Sequence, residues 1–402
     1  AAAQVLPSAS ALGEGSLGAV SVPLAPPDLI GEPIAPELGS GSDPVMEKPE
    51  EVTEVEAVET MLGVEVATFE PPDEPGELYF RIQIFREGIE ALPVIPKDIV
   101  FIQDCSESMS RAKLARCKAG LLQMIEDVGP QDRFNILGFR DDVTLCFPSM
   151  VKPSPTSLGE SRLFIEEMRS RGRTDVSRSL TRMLEIPRDA GRPMVAVLVT
   201  DGRPTMGLLD SSEIIEAFTQ SNQDRVSMFA VGGGERANRY LLDLLSYRNR
   251  GDSLLVPERD EIPSAITELG RQLRRPVMVN LRTHFRGGED LEVYPQRITH
   301  LFVDRPLVLY GRTRGDLDEV LFQVIGNAAQ GEHDMIFQLM DERRRPGGSS
   351  LRLEWARQKL YDLIGQYTDS RSEEVLQEMT LLARRYGLAV PYAYDLTEPV
   401  RP

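Results

Sequence analysis

The apolar positions along the chain change period several times, and each change marks a different kind of element. Up to about residue 48 there is no hydrophobic period, only Ala, Pro, Gly and Ser with scattered acids. Such a stretch buries too little surface to offset its ordering entropy, so it predicts an extended arm. Val52, Val55, Val58, Met61 and Leu62 then recur at helical spacing among glutamates. They predict a short amphipathic helix over 50–62, ended by Gly63 and followed by a proline-rich hinge from Pro71 to Pro75. From Glu77 the pattern alternates, with Leu78, Phe80, Ile82 and Ile84 on one face and Tyr79, Arg81 and Gln83 on the other. That is the signature of a half-buried strand.

Between residues 98 and 274 short apolar runs and helical periods take turns. Strands are expected at 99–102, 134–138, 194–200, 226–231 and 253–256. Helices are expected at 109–128, 163–170, 176–186, 211–220, 238–246 and 261–274. The run at 99–102 is continuously apolar, as a strand covered on both faces must be. Strand, helix and strand in succession imply a Rossmann-like α/β domain, its sheet mainly parallel with helices on both faces. After Pro276 the segments at 277–284, 298–303, 307–311, 319–325 and 333–339 are short and rich in Val, Ile, Leu and Phe, which is β-sandwich character. Two amphipathic helices follow at 351–367 and 372–386, with Gly387 where a helix stop belongs. The chain therefore divides into an arm (1–75), a strand contributed to the sandwich (76–96), the α/β domain (97–275), the β-sandwich (276–348) and a helical segment (349–402).

Charge sharpens this division. The 402 residues carry a formal charge of −18. Residues 1–75 hold fifteen acids and one base, Lys48, which leaves only −4 for everything after them. The folded part is close to balanced, so duplex nucleic acid and anionic membranes, which demand a basic face, are not expected partners. No apolar run approaches the roughly 18 residues that span a bilayer. The first residue is not Met, and a processed product or fragment, its targeting segment removed, is expected. Cys105, Cys117 and Cys146 form no C-x-x-C pair and read as small buried thiols. His284, His300 and His333 are scattered, which argues against a histidine metal site.

The chemistry concentrates where the first parallel strand ends: Asp104, Cys105, Ser106, Glu107, Ser108. Binding sites of open parallel sheets gather beyond the carboxyl ends of their strands, and D-x-S-x-S presents a carboxylate and two hydroxyls there. Asp201-Gly202 ends another buried strand on the same edge. Thr174, within Arg171-Gly172-Arg173-Thr174-Asp175, opens a helix and offers a third hydroxyl. Hard oxygen donors in this number suit Mg²⁺, with Ca²⁺ or Mn²⁺ as other hard ions for the same donors. Two aspartates only just balance such an ion, so its open position would attract an acidic side chain from a protein partner. The bland alternative is that Ser106 or Ser108 is simply the cap of the next helix.

Asp98 to Ser110, DIVFIQDCSESMS, together with DRFNILGF ending at Phe139 and LVTDGRPT from Leu198, resembles von Willebrand factor A domains of the inter-alpha-trypsin inhibitor heavy-chain type and their bacterial relatives. WARQKLYDLI from Trp355 and LARRYGLAVPYAYDL from Leu382 are similar to segments that follow the domain in that family. The resemblance implies a metal-ion-dependent adhesion site with Asp104, Ser106, Ser108, Thr174 and Asp201 as ligands. It also implies a β-sandwich built from the strand before the domain and the strands after it. Glu107 stands where the family usually has Gly, and Arg171-Gly172-Arg173 replaces a Gly-Gly-Thr loop. Arg169, Arg171 and Arg173 thereby add positive charge near the rim. The N-terminal domain typical of that family is not matched here.

Other motifs weigh less. Arg250-Gly251-Asp252 and Arg314-Gly315-Asp316 spell an adhesive tripeptide but sit where turns are expected. Gly232 to Gly234 lacks the spacing of a dinucleotide loop and reads as a tight turn beside the metal face. The expected function is a non-catalytic, metal-dependent protein–protein interaction or adhesion module in an extracytoplasmic or cell-surface setting. The alternative is a structural subunit of a larger assembly, held through residues 1–75, with an inert metal site. An enzyme is disfavoured because no base or nucleophile is arranged around the oxygen cluster.

Overall fold

A computed structural model describes residues 62–86, 93–189, 191–234, 237–315, 317–339 and 344–390. It opens with an antiparallel pair, β1 (Leu62–Phe69) and β2 (Glu77–Arg86), in register along all eight residues of β1. There follows a six-stranded sheet of β3 (Asp98–Asp104), β4 (Arg133–Phe139), β5 (Val143–Leu145), β6 (Met194–Val199), β7 (Val226–Gly233) and β8 (Ser253–Val256). Its spatial order is β5-β4-β3-β6-β7-β8, and every neighbouring pair is parallel except β4 with β5. Chain order runs outward in both directions from β3 and β6. The crevice between the carboxyl ends of these two strands is thus the topological switch point of the sheet.

Six helices join the strands: α1 (Arg111–Glu126), α2 (Pro155–Glu167), α3 (Val176–Leu184), α4 (Ser211–Asn222), α5 (Arg239–Arg248) and α6 (Ile262–Gln272). The alternation along β3 decides how they pack. Val100 and Ile102 point into a core with Leu180, Ile215 and Leu245 of α3, α4 and α5. Ile99 and Phe101 point into the opposite core with Leu121, Ile165 and Ile266 of α1, α2 and α6. A strand buried on both faces has no use for polar alternation, so the continuous apolar run was the right signal. At Gly120 a Cβ would lie 2.8 Å from the Cβ of Ile266, so α1 and α6 approach closely only because this residue has no side chain.

The remaining strands are β9 (Pro276–Arg286), β10 (Glu289–Tyr294), β11 (Leu301–Phe302), β12 (Leu307–Arg314), β13 (Leu321–Ala328), β14 (Gly331–Gln338) and β15 (Arg344–Pro346). They form a sandwich of two sheets, β10-β12-β2-β1-β15 and β11-β9-β13-β14. Between them lie Phe80, Ile82 and Ile84 of β2 with Val277, Leu281, Phe322 and Phe337. The last elements among the described residues are α7 (Ser350–Ser370) and α8 (Glu373–Tyr386), and Gly387 closes α8 in the left-handed conformation at φ 61°. Trp355 of α7 is the hub that joins the parts. Its ring lies 5.5 Å from Tyr79 of β2, 6.5 Å from Tyr294 of β10 and 5.7 Å from Tyr386 of α8. The Arg312 guanidinium sits 4.8 Å from the indole centre, a cation–π contact in a desolvated setting. Trp355 belongs to the same core as α3, α4 and α5, so the sandwich, the terminal helices and one face of the α/β sheet share buried surface.

Several expectations needed adjustment. The arm expected to run irregularly to residue 75 stops short, because Leu62–Phe69 is strand β1 with Leu62, Val64 and Val66 buried. The helix expected at 50–62 lies outside the described residues apart from Leu62, which opens that strand. β2 is covered on both sides rather than one, since Tyr79 on its second face is fully buried against Trp355. β10 escaped notice because it reads as charged; it is an edge strand that sets Glu292 opposite Arg312 and Glu289 opposite Arg314 of β12. β5 and β15, at three residues each, are too short to show a period. The segment expected at 298–303 contributes only Leu301–Phe302 to a sheet. α2 starts at Pro155, earlier than its apolar spacing suggested, because the Ser154–Ser157 capping box sets its beginning.

His300 is fixed where α/β domain and sandwich meet. The Asn280 N–H of β9 points at its Nδ1 at 3.4 Å, and its Nε2 faces Ser227 Oγ of β7 at 3.4 Å. Burial lowers its pKa to about 3, and the neighbouring Arg250 charge acts in the same direction. A folded pKa below the unfolded value means that the neutral form stabilises the fold above pH 6.5, and that this contribution is lost as the pH falls towards 3. Urea unfolding should therefore lose up to about 1.4 kcal/mol per pH unit below pH 6.5, and His300→Asn should flatten that slope. A second outcome concerns the arm. Deletion of residues 1–75 removes β1 and should cost roughly 5 kcal/mol or more against a deletion of 1–60, measured as a drop in urea midpoint.

Candidate functional site

The site forms at the switch point. β3 ends at Asp104, whose carboxylate has no exposed surface. The backbone turns back immediately, so that the Ser106 N–H donates to Asp104 Oδ1 at 2.8 Å. On the neighbouring strand end Thr200 donates its hydroxyl to Asp104 Oδ2 at 2.5 Å and accepts the Gly202 N–H at 2.9 Å. A chain of oxygens then runs outward. Ser106 Oγ lies 2.9 Å from Ser108 Oγ, and Ser108 Oγ donates to Asp201 Oδ1 at 3.1 Å. The other Asp201 oxygen accepts from Lys113 Nζ at 3.2 Å, an ion pair with both side chains buried.

Three loops are tied by their backbones. Glu107 N–H donates to the Gly172 carbonyl and Arg171 N–H to the Cys105 carbonyl, both at 3.0 Å, which fastens the first loop to the second. The Thr174 carbonyl accepts from Thr205 and Met206, while Thr174 N–H donates to Thr205 Oγ1 at 2.9 Å, fastening the second to the third. Thr174 is buried in this seam, between the loops that carry the two serines and Asp201. The structure thus links Asp104, Ser106, Ser108 and Asp201 through one hydrogen-bonded chain. It brings the Thr174 backbone alongside through Thr205.

The cap alternative concerns position more than side chain. The residue that caps α1 is Ser110, whose hydroxyl accepts from Lys113 N–H at 3.3 Å; Ser106 stands at the N-cap position of the short 3-10 turn Glu107–Met109, but its side chain makes no cap bond there. Ser106 and Ser108 are therefore spare for other work. Burial pushes the Asp104 carboxyl up to about 6, against the Thr200 and Ser106 hydrogen bonds that pull it down. The same cause pushes the Cys105 and Cys117 thiols up to about 12, so they stay protonated and inert.

Residues that sequence reasoning missed are Thr200, Thr205 and Lys113. The first two lie within the segment that carries Asp201, but nothing local distinguishes a hydroxyl that braces a carboxylate from a strand threonine. Lys113 looks like any helix lysine until the first turn of α1 is placed against the loop that follows β6. Some expected features turn elsewhere. Arg173 pairs with Asp141 at 3.1 Å, and Arg169 bonds the carbonyls of Glu166 and Met168. Arg171 and Glu107 are exposed. In the first Arg-Gly-Asp tripeptide Arg250 is buried and Asp252 pairs with Arg305 at 2.8 Å, so it is a structural turn. In the second, Arg314 pairs with Glu77 and Asp290, and Asp316 lies outside the described residues. The glycine stretch ends β7, and Gly234 adopts φ 88° as a turn residue.

Thr200→Val keeps the side-chain shape and leaves a buried carboxylate oxygen and the Gly202 N–H unsatisfied. It should cost about 1–3 kcal/mol in urea unfolding, with unchanged circular dichroism.

Comparison with known proteins agrees with this architecture. Residues 97–254 match the family model of the von Willebrand factor type A domain. The human inter-alpha-trypsin inhibitor heavy chain H3 is 24% identical over 322 residues, covering 76% of this chain and 36% of that protein. The mouse heavy chain H2 is 26% identical over 231 residues, covering 56% of this chain and 24% of that one. The chain thus spans about a third or less of the length of these relatives. Among solved structures, the von Willebrand factor type A protein from Catenulispora acidiphila superposes with a TM-score of 0.55 at 13% identity, over 82% of this chain and 87% of that one. Residues 97–254 thus match a von Willebrand factor type A domain, and the chain is similar to the inter-alpha-trypsin inhibitor heavy chains.

Proposed function

We propose that the switch-point cluster binds a divalent cation, Mg²⁺ first among the hard ions, and that the loaded site engages a protein partner without performing chemistry. The observation that carries this reading is the convergence of hydroxyl and carboxylate oxygens from two strand ends at one place, at a spacing an ion can share. Around an octahedral ion with bonds of about 2.1 Å, neighbouring ligands lie roughly 3 Å apart. Ser106 Oγ, Ser108 Oγ and Asp201 Oδ1 follow one another at 2.9 and 3.1 Å. Ca²⁺, with longer bonds, asks for a wider set, whereas Mn²⁺ shares the preference for oxygen donors. Asp104, Ser106, Ser108, Thr174 and Asp201 would hold the ion, and when bound it would supply a Lewis-acidic position open to an oxygen from outside. Asp104 and Thr200 set the buried base of the cluster; Ser108, exposed, marks the side from which a partner would approach.

A binding role is favoured over catalysis by the state of the carboxylates. Both oxygens of Asp104 and both of Asp201 already accept hydrogen bonds, so neither acid is poised as a base against a nucleophile. The reading carries with it an extracytoplasmic or cell-surface setting, where an adhesive partner would be met. Among the described residues no helix is long and apolar enough to cross a membrane.

Thermal melting decides whether the site takes an ion. Mg²⁺ at a hundred times its dissociation constant should add about 2.7 kcal/mol to the stability of the wild type, an effect reversed by EDTA. Asp201→Ala and Ser106→Ala should lose that increment. A wild-type midpoint that Mg²⁺ leaves unmoved would refute the cation site.

A further inference from the structure

Resting on the reading of the cluster as a cation site, we infer that Lys113 is its built-in counter-charge. It weakens the site's hold on the ion alone and leaves the loaded site with a surplus positive charge for an anionic partner group.

The geometry is specific. Asp201 divides its two oxygens between two kinds of neighbour: Oδ1 faces the serine hydroxyls, and Oδ2 is held by Lys113 Nζ at 3.2 Å. The lysine is only 7% exposed, and its stem packs past Gly233 at the end of β7, where a Cβ would lie 3.8 Å from Lys113 Cδ. Its placement is set by the first turn of α1, where Ser110 caps the Lys113 N–H. Lys113 thus cannot swing into solvent as surface lysines do, and its charge acts in a poorly screened environment.

The charge count then changes. Among the ligand side chains and the side chains hydrogen-bonded to them, Asp104 and Asp201 as carboxylates contribute −2, and Lys113 brings that set to −1. A divalent ion takes it to +1 rather than to neutrality. Two aspartates without the lysine would just balance the ion, so an acidic side chain would be drawn by the open coordination position alone, with no net field to add to it. With the lysine, the empty site repels a carboxylate and the loaded site attracts one. Ion and acidic partner should accordingly bind with positive coupling, each raising the affinity for the other by the same factor. Lys113 also fixes the rotation of the Asp201 carboxylate, so its removal has two opposed effects. Unlike-charge attraction between the ion and the freed carboxylate increases, and orientation is lost. For a cation that carries two charges within a few ångströms of the ammonium, the Coulomb part is the larger at any effective dielectric suited to a buried site.

The test is isothermal titration of the full chain with Mg²⁺ for the wild type, Lys113→Met and Lys113→Arg. Lys113→Met should tighten Mg²⁺ binding at least about tenfold. Lys113→Arg, which keeps the charge, should stay close to the wild type. Damage to the fold weakens ion binding, so a gain separates this role from a structural one. Unchanged or weaker binding by a folded Lys113→Met overturns the inference and leaves the cation site standing. If Lys113→Met does not fold, Lys113→Gln, which still donates to Asp201 without charge, is judged by the same criterion. Absence of Mg²⁺ binding in all the proteins, the wild type included, overturns the cation site and the inference together.

Discussion

Asp104 has no contact with solvent, yet it stands at the end of the central strand of the sheet. A carboxylate removed from water must be satisfied by hydrogen bonds or by positive charge, or it takes up a proton. The rest of the site answers that demand. Thr200 reaches across from β6, Ser106 folds its N–H back, and the loops that carry Thr174 and Asp201 are stitched to the first by backbone bonds. The second acid, Asp201, is met by a lysine instead. One acid is braced by dipoles and the other by a full charge, and that difference sets the electrostatics of the cluster.

The α/β domain is not an isolated bead. The chain enters it from β2 and leaves it into β9, and both strands belong to the sandwich, so the domain is anchored at both ends to the same body. Trp355 extends this anchoring, because its ring contacts both the strand before the domain and a strand after it. The polar crossing at Arg312 and Lys359 keeps the indole face covered by cations whose counter-charge is Glu292. The switch point lies on the sheet edge formed by the carboxyl ends of β3 and β6. Asp224, Arg250 and His300 lie by the amino ends of β7 and β8, where the sandwich docks. The body of the protein is therefore built onto one end of the domain and the oxygen cluster onto the other.

Much of the fold was legible because the forces that set it are short in sequence. The apolar run at 99–102 and the helical stripes around it report burial on both faces of a sheet, and periodicity reads burial directly. β1 was obscured because a helical spacing of valines runs into Leu62 from upstream, and only pairing with β2 and β15 decides in favour of the strand. β10 was obscured because its side chains are charged for a partner strand that lies close by in sequence but is chosen by register. Of the site, Asp104, Ser106, Ser108 and Asp201 could be picked out from motif and strand ends, since each sits at a local boundary. Thr174 could be placed near them, but the seam through Thr205 that holds it could not.

The sequence by itself determined which residues end the central strands, that they carry oxygen donors, and that helices cover both faces of the sheet. These follow from local period and from the chemistry of side chains at strand ends. Only the tertiary structure decided what those side chains face. It assigned the cap of α1 to Ser110, buried Arg250, gave Arg173 to Asp141 and placed Lys113 against Asp201. Lys113 and Asp201 are 88 residues apart in sequence. Their pairing exists because the first turn of α1 and the loop that follows β6 meet at the switch point, and no local pattern encodes a distance set by the packing of separate elements.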